Sequence, residues 1–86
     1  MTYQVRFEAA AAKALSKLER QIRLRVVGVI ETLARDPRPP AATQLRGDPS
    51  LWRIRTGDYR IVYTIRDHEL LVIVVKVGHR RDVYQR

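Results

Sequence analysis

Residues 70–77 read Leu-Leu-Val-Ile-Val-Val-Lys-Val, a run that is apolar except for Lys76 and dominated by β-branched side chains. It has the length of one strand and falls far short of a membrane-spanning helix. Valine and isoleucine are restricted in a helix and pack well on a pleated surface. A strand that is apolar on both faces needs cover on both, so it belongs in the middle of a sheet. This segment therefore demands flanking strands and a second layer.

The rest of the chain supplies both. Leu51–Thr56 and Tyr59–Arg66 read as two further strands, joined at Gly57-Asp58. Glycine accepts positive φ without steric cost, which fits a tight two-residue hairpin turn there. Asp67-His68 makes the next turn, and Gly78 ends the apolar strand. At the other end residues 2–7, TYQVRF, alternate, with Tyr3, Val5 and Phe7 on one side and Gln4 and Arg6 on the other. This is the pattern of a half-buried strand.

An alanine-rich segment from Glu8 to Leu18 favours helix, with Leu15 and Leu18 on its inner face. A second helix spans 20–35. Its apolar stripe is Ile22, Val26, Val29 or Ile30, and Leu33, interrupted by Gly28, which suggests close packing. Asp36-Pro37 ends it, because a residue before proline is driven out of the helical region. Residues 36–49, DPRPPAATQLRGDP, read as a loop stiffened by prolines. The order β-α-α-β-β-β makes residues 1–86 a single α+β domain. A two-helix hairpin covers one face of a small antiparallel sheet, and the other face is left for function.

Charge says what that face could bind. Seventeen Lys+Arg against nine Asp+Glu give a formal net charge of +8, which attracts nucleic acid, anionic membranes or an acidic protein. Lys13, Lys17 and Lys76 are the only lysines, so the excess is mostly arginine, whose planar fork pairs bidentately with phosphate. Arg53, Arg55, Arg60, Arg66, Arg80 and Arg81 fall in or beside the last strands, with Tyr59, Tyr63 and Tyr84 close in sequence. Alternation puts Arg53 and Arg55 on one face of their strand and turns Trp52 and Ile54 toward the helices. Zero cysteines exclude disulfides and thiolate metal sites. MTYQVRFEAA lacks the apolar core of a signal peptide, and no run reaches membrane-span length, so the expectation is a cytoplasmic protein with no membrane partner.

The strings QLRGDPSLWRIRTGDYRIVYTI and VKVGHRRDVY, together with the YQVRF opening, resemble the RelE branch of the RelE/ParE toxin superfamily. The resemblance implies the fold argued above and a toxin of a type II toxin–antitoxin module. RelE-type toxins cut mRNA in the ribosomal A site without metal or cofactor. ParE-type toxins share the fold and inhibit DNA gyrase. The family's basic strand pair maps to Arg53 and Arg55, the arginine of its GYR or DYR motif to Arg60, the basic residues after the strand-ending glycine to His79, Arg80 or Arg81, and its tyrosine to Tyr84. Some RelE proteins carry lysines where this chain has Arg53 and Arg55. Arginine stays protonated and stabilises charge rather than acting as a base.

The resemblance implies an endoribonuclease in which the RNA 2′-OH attacks the adjacent phosphate. Such a reaction needs in-line geometry, a base for the 2′ proton, stabilisation of phosphoryl charge and a proton for the 5′ leaving oxygen. Arg53, Arg55 and Arg60 are expected to hold the phosphate, with Arg81 an added RNA contact. His79, Arg80 and Tyr84 are expected to handle protons or the leaving group. The expected partners are the ribosome and its mRNA and a cognate antitoxin, with promoter DNA reached only through the antitoxin. Two alternatives are a ParE-like gyrase inhibitor without nuclease chemistry and a degenerate toxin acting as corepressor.

Overall fold

The computed structural model describes residues 2–79. Its elements are β1 (Gln4–Phe7), α1 (Ala9–Ser16), α2 (Arg20–Leu33), β2 (Thr43–Leu45), β3 (Asp48–Thr56), β4 (Tyr59–Arg66), a 3-10 turn (Asp67–Glu69) and β5 (Leu71–His79). Among the described residues the strands form one sheet in the order β1-β5-β4-β3-β2. The apolar run is β5, and it lies inside the sheet between β1 and β4.

Several particulars differ from the sequence expectation: β3 begins at Asp48 inside the segment read as loop, and Gly78 lies within β5 instead of ending it, because the ladder with β4 continues to the Tyr59–His79 pair. The sheet is mixed, because β1 pairs with β5 in parallel, Val5 against Val72, while the other ladders are antiparallel. The helical hairpin returns the chain across the sheet, and the last strand then runs beside the first. The sheet also gains β2 from the segment read as loop, with Thr43 opposite Arg53 and Gln44 opposite Trp52. A three-residue edge strand is too short to show a period. The Arg46-Gly47 turn that follows relies on Gly47 at φ 84°.

Both helices pack on the face built from Val5, Ile54, Ile61, Tyr63, Val72, Val74 and Val77. From α2 this core takes Val26, Ile30 and Leu33, with Ile22 and Val29 packed beside them. The sequence stripe is therefore the buried stripe. The start of α2 is capped by Glu19, whose carboxylate accepts from the amides of Gln21 (3.1 Å) and Ile22 (3.3 Å). Gly28 departs from expectation: it is exposed, and a Cβ there would meet nothing within 4 Å. It marks no close packing.

Two polar ties fix the loop after α2. Tyr63, fully buried, donates its hydroxyl to the Pro37 carbonyl at 2.7 Å, and burial pushes its pKa up to about 12. At the surface Asp67 accepts from both Arg38 Nη atoms (2.8 and 3.1 Å) and from the Tyr3 hydroxyl (2.6 Å). The Arg38 guanidinium, and then the Tyr3 hydroxyl, hold the Asp67 carboxyl down at about 2. Arg38 also lies over the Trp52 ring, 5.7 Å from its centroid.

Candidate functional site

Alternation along β3 sends Ile54 into the core and Arg53 and Arg55 to the opposite face. On β4, Ile61 and Tyr63 face the helices, so Arg60 and Val62 join the arginine face. The register places Arg55 directly across from Arg60, and Arg53 across from Val62. Like charges directly opposite one another weaken a sheet. Here the arrangement is built into the central hairpin, where Gly57 at φ 58° makes the turn.

Arg53, Arg55 and Arg60 line a cavity of about 170 Å³ together with Ala41, Thr43 and Ile54. Among the described residues that line it there is no carboxylate. Arg53 Nε donates to the Thr43 hydroxyl at 3.2 Å, so edge strand β2 orients a guanidinium of the site. Thr43 was not legible as a site residue, because its strand was not legible. The cavity holds several water volumes of about 30 Å³ each, enough for a phosphate group. Its positive charge suits an anionic group.

His79 lies elsewhere. The register pairs Tyr59 with His79 and Arg60 with Gly78. Tyr59 packs against the helix-side core, and His79 meets it edge to face, ring centroids 5.5 Å apart at 75°. The glycine, and not the histidine, shares the arginine face, so the sheet separates His79 from Arg53, Arg55 and Arg60. Strand parity at the end of β5 decides this. Arg80, Arg81 and Tyr84 lie outside the described residues. Arg66 sits at the far end of β4 near Glu69, 3.6 Å away, with both side chains largely exposed.

One cation that sequence reasoning did not assign to the site is Lys76. It is exposed and opposite Val62, on the arginine face. Its signal in the sequence was its position as the only charge in an apolar strand. Among the described residues no group of three His, Asp or Glu side chains is arranged to hold a metal ion, and no helix is long and apolar enough to cross a membrane.

A family model described as the ParE toxin of the type II toxin–antitoxin system parDE matches residues 5–84. The toxin RelG of Mycobacterium tuberculosis is 34% identical over 87 residues, covering 100% of both chains. The mRNA interferase toxin RelE of Escherichia coli K12 is 33% identical over 88 residues, covering 98% of this chain and 92% of that protein. Among solved structures, the toxin–antitoxin complex RelBE2 of M. tuberculosis matches with a TM-score of 0.82 at 33% identity, over 93% of this chain and 100% of that one. The intact E. coli RelBE toxin–antitoxin complex matches with a TM-score of 0.80 at 30% identity, over 90% and 95% of the two chains.

Proposed function

This chain belongs to the ParE toxin family of type II toxin–antitoxin systems and is a RelE-type toxin, and on that premise we propose that it is an endoribonuclease cutting mRNA on the ribosome. The observation that carries the proposal is the cavity formed by Arg53, Arg55 and Arg60 on adjacent strands. It brings guanidinium groups from two adjacent strands to one cavity, where a phosphodiester would meet them.

The 2′-oxygen of the RNA attacks the adjacent phosphorus as its proton leaves. The P–O5′ bond breaks, giving a 2′,3′-cyclic phosphate and a 5′-hydroxyl. Arg53, Arg55 and Arg60 neutralise charge that accumulates on the phosphoryl oxygens. Since these groups are permanent cations, they stabilise charge and leave proton transfer to others. With His79 turned to Tyr59, we assign the 2′ proton to Tyr84 in its phenolate form, and to Arg80 a hydrogen bond that stabilises charge on the leaving 5′-oxygen, which takes its proton from solvent. The ribosome presents and orients the mRNA, which is why a domain this small suffices. A cognate antitoxin neutralises the toxin by bringing carboxylates to the arginine face or by adding bulk that the A site excludes.

The family model's ParE description favours one second reading, inhibition of DNA gyrase without chemistry on RNA. One experiment separates the two. Wild type and an Arg60→Ala/Tyr84→Ala double variant are expressed from a tightly repressed promoter, and mRNA 5′ ends are mapped on translating ribosomes. Cuts within translated frames that vanish in the variant support the nuclease. Toxicity from both proteins with no new mRNA ends, accompanied by DNA damage, supports the gyrase reading.

A further inference from the structure

Strand β5 keeps Val72, Val74 and Val77 against the helices. Strict alternation from Val74 would point Lys76 into the same core. The β4–β5 ladder avoids this by a bulge. Val62 pairs with Lys76 and Tyr63 with Val74, so Val75 is an extra residue in β5. Bulges re-aim side chains and disrupt the ladder locally. This one keeps Val77 7% exposed in the core while turning Lys76 out to the arginine face. The one charge in the apolar strand and the register shift in its ladder are thus coupled.

The result is two cross-strand rows on that face. One row runs Thr43, Arg53, Val62, Lys76, and the other Arg55, Arg60, Gly78. Neither row contains an acid. Lys76 and Arg53 stand two strand spacings apart, roughly 10 Å, with Val62, 4% exposed, between them. Gly78 projects no side chain beside Arg60.

We propose that Lys76 forms a second phosphate subsite beside the arginine cavity. The arginine face then holds consecutive phosphates of a single RNA strand: the one to be cut at Arg53, Arg55 and Arg60, and its neighbour at Lys76. The inference rests on the ribonuclease reading above. A lysine suits the outer position, because its compact ammonium on a flexible stem accepts a phosphate from many directions. The arginine forks impose the geometry needed at the reacting group.

The test is binding of 2′-O-methyl RNA, which cannot cleave itself, with one or with two internucleotide phosphates. The proteins are the wild type, Lys76→Gln, Lys76→Arg, Arg60→Ala and, as a charge control on α1, Lys13→Gln. Lys76→Gln should weaken the two-phosphate ligand roughly two- to fivefold and leave the one-phosphate ligand unchanged. It should also lower the salt-dependence slope by about 0.7, the value for one contact to a single strand. Lys76→Arg should restore binding, and Lys13→Gln should have no effect specific to ligand length. Equal weakening of both ligands, or an effect matched by Lys13→Gln, overturns the subsite. So does an unchanged Lys76→Gln protein whose Arg60→Ala counterpart fails to bind, and that result leaves the arginine cavity standing. Binding indifferent to both Lys76 and Arg60 overturns the subsite and the ribonuclease reading together.

Discussion

Replacing Arg55 by glutamine should stabilise the protein while disabling it. Arg55 and Arg60 are direct cross-strand partners, and such pairs have Cβ atoms about 5 Å apart. For two unit charges about 7 Å apart in water, Coulomb's law gives a repulsion of about 0.6 kcal/mol. That lies within the 0.2–1 kcal/mol range of cross-strand pair energies. For a domain of this size it corresponds to a rise in Tm of roughly 2–5 °C at low salt. Thermal unfolding of the wild type and Arg55→Gln in about 10 mM and about 1 M salt isolates the effect, since the Debye length falls from about 30 Å to about 3 Å. Arg46→Gln, in the turn after β2, removes the same net charge without a cross-strand cation. The gain should be confined to Arg55→Gln, shrink at high salt, and accompany loss of ribosomal mRNA cleavage. A variant less stable than wild type at low salt, or a gain indifferent to salt, would refute the argument that Arg55 and Arg60 repel across the hairpin.

Further outcomes follow from other positions. Gly28→Ala should stabilise by about 0.5–1 kcal/mol in urea unfolding, because the site is helical, exposed and sterically open. Tyr63→Phe should cost about 1 kcal/mol in the same assay through its lost bond to the Pro37 carbonyl, which is left without that donor. The Asp67 carboxyl is held down at about 2, below its ordinary 3.8, by the Arg38 guanidinium. Its contribution is present above pH 4 and lost as pH falls through 2, so Asp67→Asn should flatten the decline in stability between those values. For Tyr63, a folded pKa near 12 against 10.0 means the wild type loses stability as pH rises from 10 to 12. Stability of Tyr63→Phe measured across that window should fall less steeply.

Much of the framework follows from local patterns in the chain. The stripe Ile22, Val26, Ile30, Leu33 repeats at the helical period, and that stripe is buried. Alternation in WRIR places Arg53 and Arg55 away from Ile54 whatever the partner strands are. The turn at Gly57 needs a residue that tolerates positive φ, and only glycine does so freely. These are properties of neighbouring residues, and the sequence states them directly.

Pairing between distant segments is another matter. That β1 runs parallel to β5, that three residues after a proline-rich loop become an edge strand, and that Thr43 reaches Arg53 depend on how the helices return the chain over the sheet. The placement of His79 and Lys76 turns on one inserted residue. The bulge at Val75 reverses the parity of everything after it, so Lys76 and Gly78 join the arginines while His79 goes to Tyr59. Side-chain direction in a strand has a period of two, so a single extra residue exchanges the faces. The amino-acid sequence alone determined which cations this protein carries and which strands carry them. Only the tertiary pairing decided which of them share a face.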